Sequence, residues 1–404
     1  PKAVLDGAGD APAPTAEGIA AAIDALATDG RVGKLSASVV DVATGEQLYA
    51  RDSDRPSVPA SVNKLVTATA ALSVRGPSYR LTTRAVAGDQ PGEVVLVGGG
   101  DPTLSVGAKG TYPGAARLDK LAAAVKQQLG ATKPTKIVVD ASVFTGPTTG
   151  PSWDSGIEHT GYGGHITALM VDGGRLDPKR RQPRASKPEL AAGKAFAKLL
   201  GVPEKSVVVG TAPQGAKELG AVQSMPMIRL VEIAIGDSDN VVSEALARQV
   251  ALAKDAEPSF AGAAAATKEV LGGLGLPTEQ LTLTDGSGLS RGNQLTAGLL
   301  TSLLTLAAGD EHPELSGIFT GLAVAGYSGT LHDRFGKAAG AGVGVVRAKT
   351  GTLNGVNALA GVVVDADGRL LAFSLIANGV PGGLESAEPV LDQIAAKLAA
   401  CGCR

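Results

Sequence analysis

Cysteine is scarce: the chain has two in 404 residues, Cys401 and Cys403 of the terminal "CGCR". Two thiols cannot staple a fold of this size. Cys-x-Cys without a neighbouring His is also a poor zinc ligand set, so no metal and no cofactor is expected. Histidine is nearly as rare, with four in the chain, and His159 and His165 read as loop residues rather than ligands. Charge of one sign is missing too. Lys plus Arg number 37 against 39 acids, a net of −2, which implies no general attraction to nucleic acid or an anionic membrane. There is no run of about 18 apolar residues, so no transmembrane segment is expected. No charged start leads into an apolar stretch either, and an opening at Pro1 without an initiator Met fits a processed export.

What is present is ordinary globular material, 44% hydrophobic, in a length that suits two or three domains. "APAPTAEGIAAAIDALATD" (11–29) reads as a lead into an amphipathic helix, and 34–55 alternates around "ATGE" as a hairpin does. From about residue 85 the texture turns Gly-rich, with a helix at 117–129 and a strand at 136–140. The stretch 172–195 is charged and Pro-rich, and a helix "LAAGKAFAKLLG" and a strand "SVVVG" follow it. Long apolar periodicity returns near 226, and after 344 come "GVGVVRAKTG", a hairpin on an Asp-Gly turn and a closing helix. Strands at both chain ends with helices between them predict one α/β unit of α+β type whose sheet uses both termini, with an insert folded separately.

Three short motifs carry chemistry. In "PASVNKLVTATAAL", Ser61 and Lys64 stand three apart, which places them on one side of a helix start. Lys64 then lies against Ala68 and Ala71, and partial burial favours the neutral amine that a base needs. Read blandly, Ser61 caps the helix and Lys64 is solvated. "GDSDNVVSEAL" puts Ser238 and Asn240 in a tight connection between two apolar helices, where a hydroxyl and an amide can point the same way or simply cap the second helix. In "RAKTGTLNGV", alternation predicts a strand. Lys349, Thr350 and Thr352 on it form a cradle for a carboxylate, and Gly351 leaves room for a substrate backbone. A lysine at a sheet edge is the plain alternative.

Ser-x-x-Lys, Ser-Asp-Asn and Lys-Thr-Gly in this order are the signature set of penicillin-binding proteins and serine β-lactamases. The sequence resembles the class C low-molecular-mass penicillin-binding proteins, the D-alanyl-D-alanine carboxypeptidase/endopeptidases of the bacterial cell wall. "VGGGDPTL" (97–104), "DGSGLSR" (285–291), "GTLHDR" (329–334) and the tail after Lys349 extend the resemblance over most of the chain. Ser61 and Ser238 are 177 positions apart, far more than in β-lactamases, and no Glu-x-x-Leu-Asn deacylation motif is visible.

The resemblance implies a transpeptidase-like domain with an antiparallel sheet and a helical cluster, built from 1–84 and 224–404. It also implies two inserted domains, one from 85–171 with about 207–223 and a small one from 172–206. Ser61 would attack the penultimate D-Ala carbonyl and Lys64 would take its proton. Ser238 would protonate the departing D-Ala, and Asn240 would hold Lys64 and a substrate amide. Lys349, Thr350, Gly351 and Thr352 would bind the terminal carboxylate, with Ser61 and Thr352 N–H groups forming the oxyanion hole. In some members an aspartate of the insert recognises the stem peptide's amino end, and Asp140 lies at a similar place. Peptidoglycan stem peptides and β-lactams are the implied partners, no nucleic acid is, and the implied location is the extracytoplasmic cell envelope. The segment "WDSGIEHTGYGGHITALMVDGG" departs from the family in its Gly and His content.

Two other readings remain. "GLSRG" (288–292) matches Gly-x-Ser-x-Gly, an α/β-hydrolase elbow on Ser290 with Asp310 and His312 or His332 downstream, although the serial βαβ units of that fold are missing. A catalytically silent wall-binding module would need no intact Ser, Lys, Ser, Asn and Lys.

Overall fold

The computed structural model describes residues 11–153 and 155–404. The opening at Pro1, the first ten residues of the expected 1–84 segment and Asp154 lie outside the described residues. The chain divides into two compact units. One comprises the chain up to Gly76, Val231–Asp239 and Ala264–Arg404, and the other comprises Pro77–Leu230 and Asn240–Ala263.

The first unit is built on two hairpins. At "ATGE" the Asp41 carboxylate accepts the Ala43 N–H (3.0 Å), turning Lys34–Asp41 back into Gln47–Arg51. At Asp367-Gly368 the glycine has φ +90°, and the Asp365 carboxylate accepts the N–H groups of Asp367 (3.0 Å) and Arg369 (2.7 Å). That turn joins Val356–Val364 to Leu370–Asn378. The resulting six-stranded antiparallel sheet runs Gln47–Arg51, Lys34–Asp41, Leu370–Asn378, Val356–Val364, Arg347–Leu353, Ala323–Val324. The first long strand therefore lies against the last, with Ala37 opposite Leu375.

Most strand residues are buried because both faces are covered. Ala37 and Val39 point into a core with Ile19 and Ile23 of helix Ala16–Ala27 and Ile394 of helix Glu388–Ala399. The alternate residue Ser38 points the other way, its hydroxyl 2.9 Å from that of Thr301 on helix Ala297–Ala308. Helix Asn63–Arg75 packs against that second helix layer. The Cys403 carbonyl accepts the Thr15 N–H at 2.7 Å, which ties the tail to the cap of the first helix. Among the described residues no helix is long and apolar enough to cross a membrane.

The second unit has a five-stranded mixed sheet in the order Val207–Val209, Lys136–Asp140, Glu93–Val97, Thr82–Ala87, Glu218–Gln223. Its two parallel pairings need crossovers, and helices Leu118–Leu129 and Pro188–Leu200 supply them. Leu121, Val125, Phe196 and Leu200 of those helices fill the core with Val94, Leu96, Ile137 and Val139. Residues 172–206 belong to this unit, since the crossover helix they carry packs on its sheet.

Asp101 of "VGGGDPTL" is buried in the second unit. One carboxylate oxygen accepts the N–H and hydroxyl of Thr103 (2.8 and 2.6 Å), and the other has no partner. Burial raises its pKa to about 6. The folded state then binds this proton more tightly than the unfolded chain, so stability falls as pH rises from the ordinary 3.8 through 6. A shift of this size corresponds to about 3 kcal/mol at most. Urea melts between pH 4.5 and 8 are expected to show Asp101→Asn gaining on the wild type by roughly 1 to 3 kcal/mol at the upper end. A gap that stays constant with pH would contradict the buried acid.

Candidate active site

The chain enters the Ser61 segment through a strained step. Ala60 has φ +49°, in the left-handed region that costs a non-glycine residue about 1 kcal/mol or more. A single 3₁₀ turn, Ala60–Val62, follows and runs directly into helix Asn63–Arg75. Ser61 therefore stands in the turn, half-buried, and makes no capping hydrogen bond. Lys64 sits one turn on with its Nζ 2.8 Å from Ser61 Oγ. It is 1% exposed, which rules out the solvated lysine.

The loop "DGSGLSR" closes over this amine. Lys64 Nζ donates to the Ser287 carbonyl at 2.7 Å, Thr67 donates to the Gly286 carbonyl at 2.7 Å, and Asn63 Nδ2 donates to the Asp285 carbonyl at 3.2 Å. Three side chains of one helix face thus hold three consecutive carbonyls. Gly288 has φ +85°, and a Cβ there would collide with the Ala60 carbonyl. The loop can lie this close only as glycine. Its own shape comes from Asp285, whose oxygens accept the N–H groups of Gly288 (2.8 Å) and Ser290 (2.6 Å) and the Asn293 amide (2.7 Å).

The Lys-Thr-Gly strand approaches the same segment from another side. A Cβ on Gly351 would stand 2.8 Å from the Pro59 carbonyl oxygen and 3.2 Å from Ala60 Cβ, so this glycine lets Arg347–Leu353 pack against the Ala60–Val62 turn. Lys349 points to the same face as Gly351 by strand alternation. It is fully buried, its Nζ donating to the Thr350 carbonyl at 2.8 Å. Burial, then the nearby charges of Lys64 and Arg334, holds its pKa well below the ordinary lysine value. The positive charge expected from the sequence is carried by a desolvated amine, one that an arriving carboxylate would hold in its charged form. On the opposite face, Thr350 Oγ1 lies 2.7 Å from Thr330 of "GTLHDR", and Thr352 donates to Glu388 at 2.9 Å.

The structure therefore brings Ser61, Lys64 and the Lys349–Thr352 strand together within one unit. Ser238, half-buried, occupies the connection between helices Met227–Gly236 and Asn240–Ala253 with φ +53°. Asn240 opens the second helix, and its amide donates to the Tyr162 carbonyl at 2.7 Å. Asp140 takes a local role: one oxygen accepts Ser142 N–H and hydroxyl (2.9 and 2.6 Å), the other the Ala212 N–H (2.7 Å). With 5% of its surface exposed, its carboxylate secures two loops. The esterase reading of Ser290 fails. Ser290 is fully buried in the Asp285 loop, while His312 faces Glu314 (3.1 Å) and His332 faces the Tyr327 carbonyl (3.1 Å). Among the described residues no group of His, Cys, Asp and Glu is placed to hold a metal ion.

Motif spacing alone did not reveal Asn63, Thr67 and the Ser287 carbonyl as the clamp on Lys64, nor Arg334 and Glu388 behind Thr352. For Ser287 and Arg334 the signal was present as two landmarks without assigned chemistry, "DGSGLSR" and "GTLHDR".

A model of the D-Ala-D-Ala carboxypeptidase 3 (S13) family matches residues 19–190 and 177–400. The chain is 42% identical over 409 residues to a carboxypeptidase of Mycobacterium tuberculosis, covering 99% of this chain and 87% of that protein. It is 31% identical over 452 residues to the D-alanyl-D-alanine carboxypeptidase of an Actinomadura strain, covering 89% and 80%. Penicillin-binding protein 4 of Haemophilus influenzae shares the fold, with a TM-score of 0.78 at 22% identity over 94% of this chain and 97% of that one.

Proposed function

Since the chain belongs to the D-Ala-D-Ala carboxypeptidase 3 (S13) family, we propose that it is a serine carboxypeptidase that removes the terminal D-Ala from peptidoglycan stem peptides through an acyl-enzyme on Ser61. The observation that carries the reading is the buried Lys64 amine 2.8 Å from Ser61 Oγ, beside the Lys-Thr-Gly strand. Neutral Lys64 takes the Ser61 proton as Oγ attacks the penultimate D-Ala carbonyl. The negative oxygen that results is met by the N–H groups of Ser61 and Thr352, each worth about 3 kcal/mol in such a site. Ser238 relays that proton from Lys64 to the departing D-Ala amine, which leaves both groups as they began, and Asn240 orients a substrate amide. Lys349, Thr350 and Thr352 take the terminal carboxylate, which restores a partner to the buried Lys349. Water then releases the acyl group. A β-lactam enters by the same attack and stays, because its leaving group remains tethered. A peptidoglycan substrate supports an extracytoplasmic location.

Two measurements test this. Incubation with an N-acylated D-Ala-D-Ala peptide is expected to release free D-Ala, and benzylpenicillin is expected to add one equivalent to the intact mass, mapping to the peptide that contains Ser61. Absence of both products, or an adduct on another residue, would overturn the assignment.

A further inference from the structure

Thr352 stands on the strand face opposite Lys349, past the short Ala323–Val324 pairing where that strand edge has no partner strand among the described residues, and its hydroxyl donates to Glu388 Oε1 at 2.9 Å. Glu388 opens helix Glu388–Ala399, and its other oxygen is 3.5 Å from Arg334 Nη1. Arg334 is in turn anchored on Asp392, 2.5 Å away. A cavity of about 410 Å³ lined by Arg334, Lys337, Glu385, Glu388, Asp392 and Gln393 reaches the same pair from the surface.

We propose that Glu388 is a positioning residue that sets which substrate end group the carboxylate cradle accepts, by holding or releasing the hydroxyl hydrogen of Thr352. The inference rests on the reading of Thr352 as a carboxylate ligand. A threonine hydroxyl has one hydrogen to give. While Glu388 is ionised it takes that hydrogen, leaving Thr352 to offer lone pairs, with a negative charge behind them, to an incoming carboxylate. When Glu388 takes up a proton from solvent through the cavity, its own O–H can donate to Thr352. The threonine hydrogen then turns to the substrate, and the charge behind it is gone.

The groups facing Glu388 are Arg334 from the "GTLHDR" loop, Thr352 from the strand, and Glu385 and Asp392 from its own segment. Burial outweighs Arg334 and Thr352 and raises the Glu388 carboxyl above the usual range, with Glu385 and Asp392 adding in the same direction. The protonated form is thus populated at higher pH than for an exposed glutamate. Preference for a free carboxylate over its amide falls as pH rises through that value. Lys349 titrates on the other face of the strand, so the comparison of variants, not one profile, isolates Glu388.

The test is kcat/KM for an acyl-D-Ala-D-Ala peptide and its C-terminal amide from pH 5 to 9. Wild type is expected to show a carboxylate-to-amide ratio that falls with pH. Glu388→Gln is expected to raise the ratio about tenfold at the alkaline end and flatten it, through KM rather than kcat. Thr352→Ser, which keeps the hydroxyl, is expected to keep the profile, and Thr352→Ala to lose it. A wild-type slope and ratio in Glu388→Gln, or a retained profile in Thr352→Ala, would overturn the inference while leaving the carboxylate reading intact. A wild-type enzyme that does not distinguish acid from amide at any pH would remove that reading and the inference with it.

Discussion

Ser61→Ala is expected to form no adduct with benzylpenicillin and to lose at least about four orders of magnitude in D-Ala release, with an unchanged melting temperature. The size follows from the geometry. Covalent catalysis divides one difficult hydrolysis into two steps, and without Oγ there is no first step. Neither Lys64 nor the backbone donors of the nucleophile turn can replace it. Stability is untouched because the hydroxyl is half-buried, caps no helix and serves only Lys64. Intact mass with and without benzylpenicillin, paired with a thermal melt, makes the check. A variant that still carries the adduct would place the nucleophile elsewhere.

Lys64→Met is expected to reduce acylation by about three orders of magnitude, with the fold retained. Methionine is chosen over alanine because Lys64 is among the largest fully buried side chains. Truncation would open a cavity and strand the Ser287 carbonyl, confusing lost chemistry with lost packing. Methionine leaves the Ser287 carbonyl without its donor as alanine would, but it fills the space, so only the amine and its hydrogen bonds are lost. Because two buried amines near each other are costly, the variant should also relieve the opposition between Lys64 and Lys349, so it can melt higher than the wild type. Stopped-flow acylation together with thermal melts separates the two effects. Wild-type acylation in this variant would strip Lys64 of its role as base.

Much of this was legible in the residues. The two hairpin turns announce themselves by Asp and Gly at set offsets, and alternation placed Lys349 and Gly351 on one face of a strand. The Ser61–Lys64 offset predicted contact, and the contact is present. What sequence could not supply is closeness between segments that are distant along the chain. Lys64 was expected against Ala68 and Ala71, yet its partner is a carbonyl at position 287, a contact made only because Gly288 admits the Ala60 backbone. Lys349 was read as a fixed positive charge for a carboxylate, and its burial depends on segments distant along the chain, which no local pattern encodes. Asp140 was singled out because it lies at a place similar to an aspartate of the family's insert, and sequence could not show that the returning chain at Ala212 also donates to its carboxylate.

The pairing of Lys34–Asp41 with Leu370–Asn378 has a consequence in time. During synthesis the Ser61 turn emerges nearly three hundred residues ahead of the Lys-Thr-Gly strand it packs against. Non-local pairing of this kind forms late and slowly. On the proposed reading, a nascent chain therefore carries a serine that cannot yet react, and activity waits until the final hairpin zips into place.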